Sequence, residues 1–208
     1  GRESTPVFLL GSRGMEILVK TRELIPAHVP VILDVKRGDI GNTAKKYAAA
    51  AYDYLGADAV TINPYMGFDA VQPFLRPGKC VFVLCLTSNP SAADFQFLET
   101  GGKPLYERVA MRASEWAKEG EIGLVAGATE PEALKRIRDI AGGLPILIPG
   151  IGAQGGGIRE TVEAAGWKPG LTIINSSRDI LYASSGDRFA EDARRRLHAL
   201  RDEINQFR

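Results

Sequence analysis

The sequence predicts an α/β fold with a parallel sheet and, within that class, a (β/α)8 barrel. Short aliphatic runs alternate with helix-period segments along the whole length. The runs are near-continuously apolar, as strands covered on both faces are, and the glycine-rich and charged motifs follow the runs rather than precede them. An open doubly wound sheet is the competing architecture. Seven runs plus an absent opening strand favour the barrel, in a chain somewhat shorter than the typical length of about 250 residues. Residues 1–208 then form a single barrel domain, incomplete at its N-terminus, in which the run at Val31 is the third strand.

The elements follow in order. Residues 7–10 give the first run and residues 31–35 the second. Ala44, Tyr47, Ala48, Ala51, Tyr52 and Leu55 then form one helical stripe, stopped by Gly56. Residues 59–62 and 81–86 are the next strands. Cys80 and Cys85, five apart in the second of these, should face opposite sides of the sheet as reduced thiols of a cytosolic protein. Leu105, Val109, Ala113, Trp116 and Ala117 make a helix that ends near Gly120, followed by a strand over 122–126. Thr129 and Glu132 have capping-box spacing, which opens a helix running through Leu134 and Ile137 to Gly142. Strands over 146–148 and 171–174 precede a C-terminal helix from Asp187, with Phe189, Ala193, Leu197, Leu200 and Ile204 on one side. Its Arg194-Arg195-Arg196 run reads as a solvated face.

A net charge of +1 supplies no long-range field for nucleic acid or an acidic membrane, and no apolar stretch is long enough to span a bilayer. With 45% hydrophobic residues the chain can bury a substantial core without disulfides. Small-molecule chemistry remains. His28 and His198 are the only histidines and take structural roles, so neither a metal centre nor a histidine base for Ser88 is expected.

The barrel reading places several motifs at the C-terminal strand ends, where barrels bind ligands. Thr87 and Ser88 follow the fifth strand, the glycine-rich segment 149–157 the seventh, and Asn175-Ser176-Ser177-Arg178 the eighth. The last two are adjacent, and glycine N–H groups together with Arg178 suit a phosphate. Gly150, Gly152 and Gly155 also have G-x-G-x-x-G spacing. A dinucleotide fold would need an acidic residue at the end of the next strand, where Asn175 stands.

The most telling segment is Asp34-Val35-Lys36-Arg37-Gly38-Asp39, directly after the apolar Val31-Ile32-Leu33. Unpaired charge at a buried strand end is costly, so the cluster asks for a reason. A structural ion pair is one reading. A Schiff-base lysine is another, opposed by carboxylates that favour the ammonium. A protonated lysine held by carboxylates, acting as an acid beside an anionic substrate, fits the charges best.

Residues 34–44 as a whole resemble the signature of the orotidine 5′-monophosphate decarboxylase family, in its bacterial type 2 branch. Thr61-Ile62-Asn63-Pro64-Tyr65, Thr87-Ser88-Asn89-Pro90, Gly102-Lys103-Pro104-Leu105-Tyr106, the 149–155 segment and Asn175-Ser176-Ser177-Arg178 match further, in the right order. The resemblance implies a cytoplasmic, cofactor-free, metal-free homodimer that converts orotidine 5′-monophosphate to uridine 5′-monophosphate in pyrimidine synthesis. It implies that Lys36 protonates C6, that Asp34 lies against the departing carboxylate, and that Asp39 reaches the site of the partner subunit together with Thr43. Ser88 would contact the pyrimidine and Gln154 both base and phosphate, with Pro149, Ser177 and Arg178 in the phosphate-binding loops. Residues 149–157 would grip the phosphate and residues 88–102 close over the base. The family's first-strand aspartate and second-strand lysine have no counterpart in residues 1–14 and are expected upstream. Two alternatives predict different behaviour: a magnesium-dependent sugar-phosphate decarboxylase or aldolase of the same superfamily, and a nucleotide-binding domain without turnover.

Overall fold

The computed structural model describes residues 7, 9–151, 157–167 and 170–208. Six parallel strands form one sheet in the order β1-β2-β3-β6-β7-β8. They are β1 (Ile32–Arg37), β2 (Ala59–Ile62), β3 (Cys80–Leu86), β6 (Ile122–Ala126), β7 (Ile146–Pro149) and β8 (Thr172–Asn175). The remaining two, β4 (Glu99–Thr100) and β5 (Lys103–Pro104), pair antiparallel outside that sheet. Gly101 and Gly102, at φ 57° and 73°, supply the left-handed pair that so tight a hairpin turn needs.

Eight α-helices accompany these strands among the described residues: α1 (Ser12–Glu23), α2 (Gly41–Ala49), α3 (Phe68–Val71), α4 (Leu105–Trp116), α5 (Pro131–Ala141), α6 (Ile158–Ala165), α7 (Arg178–Leu181) and α8 (Phe189–Ile204). The α2 stripe continues as a π-helical turn over Ala50–Tyr54 before Gly56 ends it. Consecutive parallel strands with intervening helices are the arrangement of a (β/α)8 barrel, here two strands short among the described residues.

Side-chain alternation divides the core as a barrel requires. Ala59, Phe82, Val125 and Leu147 pack with Ile32, Cys80, Leu84 and Ile173 on one face of the sheet. The other face meets the helices through a larger cluster that includes Val60, Ile62, Val81, Leu124, Ile146 and Leu134. Cys80 and Cys85 fall in different clusters, on opposite faces as their spacing predicts, and both are free thiols.

Three expectations are corrected. The strand expected over residues 7–10 is not found where the run is described: Val7 and Leu9 are helical, ahead of α1, and Phe8 lies outside the described residues. The capping box does not form, since α5 starts at Pro131 with Glu130 as N-cap and no side-chain cap bond. The arginine run is only partly a solvated face. Arg196 donates from Nε and Nη2 to the two carboxylate oxygens of Asp179, at 2.9 and 2.5 Å, and so ties α8 to α7.

At the opposite end of the sheet from the motif-bearing loops, buried Arg138 of α5 donates to the main-chain oxygens of Ala165, Gly142, Leu144 and Leu171. These bonds join the ends of α5 and α6 to the entries of β7 and β8, and they satisfy carbonyls that burial would otherwise leave costly.

Candidate active site

Because the six strands are parallel, their C-terminal ends lie along one rim, which carries the motifs after β1, β2, β3, β7 and β8. The first of these is distorted. Leu33 of β1 pairs with Val60 of β2, but the next paired residue of β1 is Arg37, opposite Ile62. Four residues advance on one strand against two on the other, so residues 34–36 bulge from the ladder. Lys36 sits in the bulge at φ 45°, the one non-glycine residue at positive φ among the described residues.

The bulge brings the lysine back over its own strand. Lys36 Nζ donates to both Asp34 oxygens at 2.7 Å. Thr61, 1% exposed on β2, completes the arrangement: its hydroxyl donates to Asp34 Oδ1 at 2.7 Å and accepts from the Lys36 backbone N–H at 2.9 Å. Arg37, next along, places its guanidinium 4.8 Å from the Tyr47 ring centroid and so links the end of β1 to α2.

The expectation of a buried charge cluster is corrected, because the Lys36 and Asp34 side chains are 50% and 45% exposed. An ion pair so exposed contributes about 0–1 kcal/mol, while a lysine in the left-handed region costs about 1–3 kcal/mol. Stability therefore does not account for the arrangement. A strained residue at the ligand-binding rim is the pattern of a functional site.

Asp39 does not join the pair within the chain. Its Oδ1 accepts from the Ile40 N–H at 2.8 Å, at the entrance to α2, and Thr43 lies exposed on the first turn of that helix. Ser88 is half-buried on the loop after β3. That loop is held by Gln96, whose Oε1 accepts from the Thr87 N–H and whose Nε2 donates to Thr87 Oγ1, both at 2.8 Å. It also crosses closely over the end of β6, where a Cβ on Gly127 would stand 2.9 Å from Ser88 N and 3.0 Å from its Cα. Pro149 pairs with Asn175 in the β7–β8 register, so the two loops expected to bind phosphate are neighbours. Ser177 is the N-cap of α7 and Arg178 its first residue. Gln154 lies outside the described residues.

A family model described as "Orotidine 5'-phosphate decarboxylase / HUMPS family" matches residues 6–193. The chain belongs to this family. An orotidine 5'-phosphate decarboxylase of Ralstonia nicotianae is 53% identical over 196 residues, covering 93% of this chain and 72% of that relative. The solved orotidine monophosphate decarboxylase of Leishmania donovani superposes with a TM-score of 0.87 at 41% identity, over 98% of this chain and 78% of that one. The UMP synthase of the same organism gives 0.88 at 43% identity; this chain covers 99% of itself there and 45% of that longer protein.

Against that decarboxylase family, sequence reasoning found the charged pair and the rim loops but missed three supports. Thr61 carried a signal, a hydroxyl within an otherwise apolar strand, and so was legible in principle. Gln96 and Arg196 carried none, since each reaches its partner through tertiary proximity: Thr87 in one case and Asp179 in the other.

Proposed function

We propose that this rim decarboxylates orotidine 5′-monophosphate to uridine 5′-monophosphate, with Lys36 as the proton donor. Within its family, the relatives that the chain matches at 53% and 56% identity are orotidine 5'-phosphate decarboxylases. The observation that carries the residue assignment is the 2.7 Å contact of Lys36 Nζ with Asp34 at the C-terminal end of β1. As the bond from C6 to the carboxylate breaks, its electron pair stays on C6 and carbon dioxide departs. An ammonium proton of Lys36 then forms the new C6–H bond, and the neutral amine regains its proton from water. A carbanion there is stabilised by fixed positive charge, the role of a preorganised lysine. Asp34 orients the ammonium and lies beside the leaving carboxylate.

In the same proposal, Asp39 and Thr43 act across a homodimer at the partner's site, which their position beyond the β1 bulge, away from the Lys36–Asp34 pair, supports. Ser88 contacts the pyrimidine. Pro149, Gln154, Ser177 and Arg178 bind the phosphate end, with Gln154 also reaching the base, and the reaction uses no cofactor. The chain acts as one barrel domain in the cytoplasm, in keeping with the free thiols Cys80 and Cys85.

Absorbance of orotidine 5′-monophosphate, followed with and without chelator, tests the reading. Lys36→Ala should abolish measurable turnover while uridine 5′-monophosphate still binds. Arg178→Ala should raise KM by at least about tenfold, on the order of the 1.4 kcal/mol or more of a charge-assisted contact. Sustained turnover in Lys36→Ala would overturn the lysine's role, and unchanged kinetics in Arg178→Ala that of the arginine.

A further inference from the structure

Thr61 is the least expected residue of β2. Its neighbours Val60 and Ile62 are fully buried, and Thr61 itself is 1% exposed. A valine would fit the same space, whereas a buried hydroxyl is costly unless it is bonded. Here both its bonding capacities serve one purpose. The single hydroxyl proton goes to Asp34 Oδ1, and a lone pair takes the Lys36 N–H. One atom thus grips the carboxylate that holds the ammonium and the strained backbone, at φ 45°, from which the ammonium's side chain departs.

We infer that Thr61 is a positioning residue of the decarboxylation, fixing the direction in which Lys36 delivers its proton. The inference rests on the reading of Lys36 as proton donor. In the bulge, Asp34 and Lys36 have lost the ladder bonds that would hold a regular strand. Thr61 replaces that support from the neighbouring strand, at the point where β1 leaves the register. Two of the three ammonium protons are directed at the Asp34 oxygens, so the direction of the third, toward the substrate, is set by where Thr61 holds the carboxylate. Thr61 is too buried to meet the nucleotide itself, and its effect falls on the chemical step rather than on binding.

Thr61→Val removes the hydroxyl at nearly constant volume, and Thr61→Ser keeps it. In the intact enzyme, Thr61→Val should lower kcat by about 100-fold, the scale of a misplacement of roughly 1 Å at a reacting group. KM and the affinity and stoichiometry of uridine 5′-monophosphate binding should stay within about threefold, and Thr61→Ser should keep kcat within about tenfold of the parent. A merely structural role would reduce the binding stoichiometry instead and would leave kcat per active site unchanged. Wild-type kcat in Thr61→Val, or a loss in Thr61→Ser as large as in Thr61→Val, overturns the inference. If Thr61→Val does not fold, Thr61→Ala carries the same expectation with less steric demand. Lys36→Ala, run alongside, separates the two readings. Turnover in that variant sinks the lysine's role, whereas its inactivity beside a fully active Thr61→Val sinks only that of Thr61.

Discussion

Lys36 pays in backbone strain for a position that an exposed ion pair does not repay. Asparagine tolerates the left-handed region far better than lysine does. Lys36→Asn should therefore be at least as stable as the parent, by about 0–1 kcal/mol in urea denaturation, while turnover is lost. A loss of more than about 1 kcal/mol would show that the lysine contributes to stability after all. This residue also marks what the sequence could and could not show. A strand's period of two puts Asp34 and Lys36 on one face, and the two side chains do meet at 2.7 Å. They meet through a bulge, though, and nothing in Asp34-Val35-Lys36 announces the change of register that only pairing with β2 reveals.

Among the elements, legibility followed length and flanking context. β3 and β6 are apolar runs bounded by polar or glycine-rich segments and are legible as strands, as the α2 stripe to Gly56 is legible as a helix. The run at 7–10 reads as a strand although Val7 and Leu9 are helical, because four apolar residues satisfy a strand or a helical turn equally well. The Thr129–Glu132 spacing failed as a cap because Pro131, at the first helical position, starts α5 two residues later. The contact between the β3 loop and the end of β6 was likewise invisible, although it bears on Ser88. Gly127→Ala would press its methyl against the Ser88 backbone, which cannot yield as a flexible side chain can. That variant should fold, lose about 1–3 kcal/mol of stability, and show a raised KM for the nucleotide in steady-state assays. An unchanged KM would place Ser88 away from the base.

The molecule as a whole should be alkali-sensitive. Burial, with repulsion from Glu121 second, pushes the Cys80 thiol up from 9.0 to about 11. Burial also raises Cys85 and Tyr52, with the charge of Cys80 adding to the rise at Tyr52. The unfolded chain releases these protons at lower pH than the native state does. The stability they contribute is thus complete below the unfolded values and is lost as pH climbs from about 9 through 11. Urea midpoints should fall between about pH 8 and about pH 10.5, and the drop should shrink in Cys80→Ser combined with Cys85→Ala. An equal drop in both proteins would assign the sensitivity to other groups.

Arg138 shows how such a fold can tolerate divergence. Four of the oxygens it grips belong to the main chain, and every amino acid supplies that atom. Apart from one long contact with Thr172 Oγ1 at 3.5 Å, its clamp is therefore blind to the side chains around it. Ala165, Leu144 and Leu171 are free to drift over generations as far as packing permits, while the strands that carry the phosphate loops keep their footing. One cation thus anchors two strand entries through atoms that any surrounding sequence would supply.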